Sequence, residues 1–208
     1  MTEIRHIVFD LGNVLLRWEP ENPYRRLIPD AAARKRFLSE VFNGAALIRT
    51  DRGAGWAEVE DALIAEHPAD EAMIRAFRRH WHEMTPGEVE GTHEILDEVL
   101  AAGADVTALT NFAADTYVEA EPRFPVLRKF RGVTVSADTG FAKPDPEIYE
   151  HHARAFGLEP SHILFFDDVT RNIEGAREAG WNAEIFTSPA QMRADLARYG
   201  INVGWRQA

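Results

Sequence analysis

The residues with the most chemical capacity in this 208-residue chain stand at the ends of short apolar runs. Asp10 closes Ile7-Val8-Phe9 and precedes Leu11-Gly12-Asn13, while Asp167 and Asp168 stand side by side after Ile163-Leu164-Phe165-Phe166. Open α/β sheets bind ligands where a buried strand ends, so a carboxylate there followed by a glycine turn has functional potential. An isolated aspartate in that place serves equally well as a turn or helix cap. Adjacent carboxylates repel each other unless a cation or protons offset their charge, and capping of the next helix accounts for only one of the two. If the two strands adjoin, Asp10 and Asp168 converge, and hard carboxylate oxygens with water and one backbone carbonyl suit Mg²⁺. Two further groups share this placement. Leu109-Thr110-Asn111 offers a hydroxyl and backbone N–H groups, and Ala142-Lys143-Pro144-Asp145-Pro146 holds a lysine on a loop stiffened by prolines. Singly, Thr110 is an ordinary strand end and Lys143 an ordinary surface lysine; placed after successive strands, they form a set.

The elements that must position this set follow from periodicity. Strands are predicted over Ile4–Phe9, Asp105–Leu109, Gly132–Ser136, His162–Phe166 and Ala183–Phe186, several of them apolar without alternation, as where helices cover both faces of a sheet. Helical patterns lie between them: Ile95, Leu96, Val99 and Leu100 before Gly103; Ile148, Tyr149 and Phe156; and Asn172–Ala179 before Gly180. The fold class is therefore α/β, a doubly wound, mainly parallel, Rossmann-like sheet. The first two strands are too far apart for one crossover. At least three amphipathic patterns fill the gap: Phe37 to Phe42, Trp56 to Ile64, and Met73 to Met84. They predict a helical cap over 17–88 inserted into a core of 1–16 and 89–208, hinged near Leu16–Glu19 and Pro86–Glu90.

Composition removes several functions. With 45% apolar residues the chain can bury one sizeable core, and with no cysteine it has no disulfide, thiolate metal site or cysteine nucleophile. A net charge of −11 without a basic stripe argues against nucleic acid as a partner. The N-terminal residues do not read as a signal peptide and no apolar run is long enough to span a bilayer, so no membrane partner and a cytoplasmic location are expected. Monomer and homodimer remain equally open. His80 and His82, at i and i+2, do not share a helix face, and neither do the adjacent His151 and His152; both pairs are better read as packing or surface residues than as a metal site.

Four motifs occur in the order found in the haloacid dehalogenase-like hydrolase superfamily, which the chain resembles over essentially its whole length. They are Phe9-Asp10-Leu11-Gly12-Asn13-Val14, Leu109-Thr110-Asn111, Lys143-Pro144-Asp145-Pro146-Glu147-Ile148-Tyr149, and Phe165-Phe166-Asp167-Asp168 followed by Asn172. The helical insertion is similar to the family's cap of the type placed between the first and second motifs. The resemblance implies a Mg²⁺-dependent phosphatase acting on a small phosphorylated metabolite. Asp10 would be the nucleophile and a metal ligand, and Gly12 would give a carbonyl ligand. Asp168 would bind the ion directly, with Asp167 outside it or through water. Thr110 and the Asn111 backbone would hold phosphate oxygens while Lys143 neutralises charge. Such roles suit phosphoryl transfer, which is catalysed mainly by positioning and charge stabilisation.

One position departs from the pattern. Phosphatases of the superfamily usually carry a second aspartate two residues after the nucleophile, as general acid and base, and Gly12 stands there. Losing such a group typically costs about 10²–10⁴-fold in rate. A leaving group that needs little protonation would tolerate the loss. An anomeric sugar phosphate fits, and the Leu-Gly-Asn form of the motif is similar to the glucose-1-phosphatase-like branch. The alternatives are a 2-haloacid dehalogenase, whose halide leaves unprotonated but against which the paired acids argue, and a non-catalytic sensor of a phosphorylated ligand. Substrate choice is expected in the cap. Arg49, Asp51, Arg52, Gly53, Ala54 and Gly55 are read as a polar turn between two cap helices, with Arg52 reaching the substrate, and Arg17 and Trp18 lie near the entrance.

Overall fold

The computed structural model describes residues 3–201. Five parallel strands, β1 (His6–Phe9), β2 (Asp105–Thr110), β3 (Val133–Val135), β4 (Ile163–Asp167) and β5 (Asn182–Ile185), form one sheet in the order β3-β2-β1-β4-β5. All five lie where the apolar runs predict them, with ends displaced by one or two residues. The chain leaves β1 toward β2 on one side and later returns to place β4 on the other, so the sheet's switch point falls between β1 and β4.

Strand parity divides the core in two. Ile7, Phe9, Val106, Ala108, Leu164 and Phe166 face helices Thr92–Ala101 and Pro189–Arg198, while Val8, Leu109, Ile163, Phe165 and Ala183 face helices Pro146–Phe156 and Thr170–Glu178. Both faces are buried, which is why these strands read as largely continuous apolar runs.

A third cluster, with Tyr24, Phe37, Phe42, Val59, Ile74 and Phe77 at its centre, belongs to the helices between β1 and β2. The rings of Phe42 and Phe77 stack at 3.8 Å. This helical cap holds helices beyond the three named patterns. Helices Glu21–Leu27 and Gly44–Asp51 are additional, and Ala31–Arg36 runs into a wide turn at Phe37–Val41. The third pattern breaks at His80 into Glu71–Arg79 and Trp81–Met84, and Trp81 packs in the sheet's own core against Phe112 rather than inside the cap. The segments that enter and leave the cap pair with each other: the Arg17 N–H donates to the Gly87 carbonyl and the Val89 N–H to the Leu15 carbonyl, at 2.9 and 2.8 Å.

Under β1 to β3 lies a buried polar string outside the strand tips. Thr107 Oγ1 lies 2.8 Å from both His6 Nε2 and His152 Nε2, and Thr134 Oγ1 lies 2.8 Å from His152 Nδ1. Burial, with His6 nearby, pushes the His152 imidazole down to about 3. The unfolded chain therefore takes up a proton below about 6.5 that the folded chain refuses until near 3. Stability from this residue is present above that unfolded value and is lost as pH falls through the window, by up to about 1.4 kcal/mol per pH unit. Urea unfolding followed across this acid range should give a slope shallower by close to one proton in His152→Gln than in the wild-type chain.

Candidate active site

The in-register ends of β1, β2 and β4 set the site. Phe9 pairs with Ala108 on one side and Phe166 on the other, and the Asp10 N–H continues the ladder to the Phe166 carbonyl at 2.9 Å. Asp10, Thr110 and Asp167 consequently emerge at one edge.

Lys143 joins them from the loop after β3. It is 1% exposed, and its ammonium uses its donors on Asp10 Oδ1 at 2.8 Å, Asp167 Oδ2 at 2.6 Å and the Leu109 carbonyl at 3.0 Å. Burial opposes its charge, and the two carboxylates overcome that penalty and hold its pKa above the ordinary value. Its backbone is clasped by the Asn111 side chain, which accepts from the Lys143 N–H at 2.8 Å and donates to its carbonyl at 3.0 Å. Asn111 thus does more than the expected backbone contact: its amide fixes the lysine loop.

Asp167 is fully engaged. It accepts from Lys143, from the Val169 N–H at 2.8 Å and from Asn172 Nδ2, 3.0 Å from each of its oxygens. Asp168 is freer, and Asn13 Nδ2 donates to it at 3.0 Å. Asn13 adopts φ +53°, a left-handed conformation that asparagine tolerates better than most residues, and its Oδ1 accepts from the Trp18 N–H at 3.0 Å. The first motif, the fourth motif and the start of the cap are thereby tied through one amide.

These groups fit a divalent cation. One carboxylate oxygen from each of Asp10, Asp167 and Asp168 lies within 4.8 Å of the others. A single lysine leaves three ionised acids with excess negative charge. Burial, together with Asp167 and Asp168, pushes the Asp10 carboxyl up to about 7 against the pull of Lys143, and burial likewise raises Asp168. A second positive centre would relieve that crowding. Among the described residues Asn172 Oδ1 is also buried without a hydrogen-bond partner, an acceptor suited to an ion's water.

A cavity of about 270 Å³ opens over this edge, and Asp10, Gly12, Thr110, Asn111, Lys143 and Asp168 all line it. The cap contributes Leu47, Ile48, Asp51 and Trp56 to its walls, and Arg17 and Trp18 contribute at the entrance. Arg52 is the arginine expected to reach the substrate. Its guanidinium bonds Asp145 Oδ1 at 2.7 Å and does not line the cavity, because Asp145 offers a carboxylate beside it at the cap's edge. The predicted turn is also shorter than expected. Asn43 caps Ala45 and Ala46 and starts a helix that carries Arg49 and Asp51, and only residues 52–55 turn. Gly53, at φ +92°, ends it so close to the core that a Cβ would come within 2.9 Å of the Ala137 carbonyl oxygen. Two more links join cap and core: Trp56 Nε1 donates to Asp115 at 3.0 Å, and Arg78 pairs with Asp115 and Glu119. Asp51, Asn13 and the side chain of Asn172 are the site residues that the sequence left without a firm role.

A capped, doubly wound α/β hydrolase with an acid cluster and a buried lysine at its switch point is the class this arrangement defines. The family model for haloacid dehalogenase-like hydrolases matches residues 4–180, and the chain belongs to that family. Phosphatase MT3486 of Mycobacterium tuberculosis is 34% identical over 104 residues, a match spanning 50% of this chain and 48% of that one. The sesquiterpene phosphatase astK of Aspergillus oryzae is 25% identical over 182 residues, 86% of this chain and 88% of that one. Among solved structures, a dehalogenase superposes with a TM-score of 0.74 at 18% identity, covering 95% of this chain and 99% of that one. A family enzyme of Bacteroides thetaiotaomicron, in complex with magnesium and inorganic phosphate, superposes with a TM-score of 0.66 at 21% identity, covering 89% of this chain and 95% of that one.

Replacing Lys143 by methionine leaves Asp10 and Asp167 facing each other without a countercharge. In chelator-containing buffer the variant should lose about 3–5 kcal/mol of stability to urea, as when one partner of a buried pair is removed.

Proposed function

We propose that the protein is a Mg²⁺-dependent phosphatase that hydrolyses a small phosphate monoester through a phosphoaspartyl intermediate on Asp10. The observation that carries this reading is the position of the Asp10 carboxylate. It stands at the open end of β1, in a cavity, with Oδ1 held by Lys143 and a cluster of acids beside it. Asp10, Asp168 and the Gly12 carbonyl would hold the ion, with Asp167 behind them. When bound, the ion supplies positive charge that draws an anionic nucleophile and an anionic ester together.

The remaining work falls to the chain's own groups. Lys143 favours the ionised form of Asp10 and offsets charge on the phosphoryl oxygens. Asp167, saturated by Lys143, Asn172 and Val169, fixes the lysine in place. Thr110 and Asn111, at the tip of β2, hold phosphate oxygens. The cap walls exclude water while Asp10 attacks and admit it afterwards. Because Gly12 offers no acid, a phosphate on an anomeric sugar oxygen is the leaving group we place first, and the tryptophans around the cavity can stack on a sugar ring.

The dehalogenase neighbour shares the fold with phosphatases and does not decide the chemistry. The excess of carboxylates supports the phosphatase reading, because a metal-free attack on a carbon–halogen bond has no need of the extra acid. The wild-type chain should release phosphate from p-nitrophenyl phosphate with Mg²⁺, cease on chelation and recover on Mg²⁺ addition. Asp10→Asn should abolish turnover. Halide release from a 2-haloacid in chelator, or phosphatase activity surviving in Asp10→Asn, would overturn the reading.

A further inference from the structure

The missing acid at Gly12 leaves a requirement that the cap can meet. Three side-chain carboxyls line the cavity: Asp10, Asp168 and Asp51. The first is held by Lys143 and the second by Asn13. Asp51 alone comes from the cap, and among the described residues no side chain bonds or pairs with its carboxyl. It is the last residue of helix Gly44–Asp51, where the free carbonyls of a helix end disfavour a negative charge. A charge at that helix end is disfavoured, and Asp51 lines the cavity nonetheless.

We propose that Asp51 is the general acid and base of the reaction, occupying by way of the cap the role that Gly12 cannot fill. The inference rests on the phosphatase reading and extends it. As Asp10 attacks phosphorus, the bond from phosphorus to the leaving oxygen breaks, and the Asp51 carboxyl gives its proton to that oxygen to release the alcohol. The Asp51 carboxylate then takes a proton from the water whose oxygen attacks the phosphoaspartate. The bond from phosphorus to the Asp10 oxygen breaks, freeing phosphate, and both carboxyls return to their starting forms.

Burial pushes the Asp51 carboxyl up to about 7 against the attraction of Lys143, which suits a group that must give and take a proton near neutrality. The other charged groups lining the cavity are Asp10, Arg17, Asp168 and Arg171. With Asp51 in this role an activated leaving group is no longer needed, so the substrate class widens from anomeric phosphates to ordinary esters.

The test compares first-turnover rates on two aryl esters in the full chain with Mg²⁺. One is p-nitrophenyl phosphate, whose leaving group needs no proton; the other is phenyl phosphate, whose phenol is about as basic as that of tyrosine (pKa ~10). Asp51→Asn should leave the first turnover of the nitrophenyl ester within about threefold and slow that of the phenyl ester by roughly 10²-fold or more. On the nitrophenyl ester it should show a burst followed by slow release, as water attack loses its base. A Cβ at Gly12 meets nothing within 4 Å, so Gly12→Asp can be added to Asp51→Asn and should restore at least about tenfold on the phenyl ester. Asp51→Ser serves as a second variant if the amide disturbs folding. Equal losses on both esters, or none on either, in a wild-type chain that turns over normally would overturn the role of Asp51 and leave the phosphatase reading intact. No turnover of either ester by the wild-type chain would overturn both.

Discussion

A lysine ammonium with almost no contact with water is the constraint around which the rest of this molecule is arranged. Taking Lys143 out of solvent costs several kcal/mol unless its charge is matched, and here it is matched by Asp10, Asp167 and the Leu109 carbonyl. Each partner imposes a condition on the fold. Asp10 and Asp167 must come from neighbouring strands in register, and the Leu109 carbonyl must come from β2 on the far side of β1. The Lys143 loop must be held by Asn111. A sheet slipped by one residue would turn the inward side chains outward and leave the ammonium unpaired.

The same parity explains how much could be read without coordinates. Asp10, Thr110, Lys143, Asp167 and Asp168 are legible as neighbours because each follows an apolar run that must be a buried strand or its loop, and parallel strands end together. Their order in the chain also follows the motifs of a known family. The five strands are legible for the same reason, with only their ends displaced, since a strand buried on both faces gives no alternation to mark its limits.

The cap was less legible, and one pair of residues shows why. Asp51 and Arg52 are adjacent, but at a helix end adjacent side chains point about 100° apart. The arginine, the more obvious ligand for an anion, turns to Asp145 on the core surface, while the aspartate faces the cavity. Which of the two faces inward depends on where the helix begins. Asn43 sets that start through two backbone N–H groups, and no apolar period records it. Asn13 and Asn172 are hidden differently. Their amides act on carboxylates brought near by folding, Asp168 from 155 residues away and Asp167 from across a turn, and an asparagine in a loop carries no local sign of such a partner.

The links that hold the cap down are of another kind from those beneath it. Arg52 with Asp145 and Arg78 with Asp115 and Glu119 are partly exposed ion pairs, and such pairs contribute at most about 1 kcal/mol each. These surface links are electrostatic and exposed, whereas the Lys143 pairs beneath them are buried. Dissolved salt, which screens exposed charges over about 10 Å at 0.1 M, weakens the first and largely spares the second.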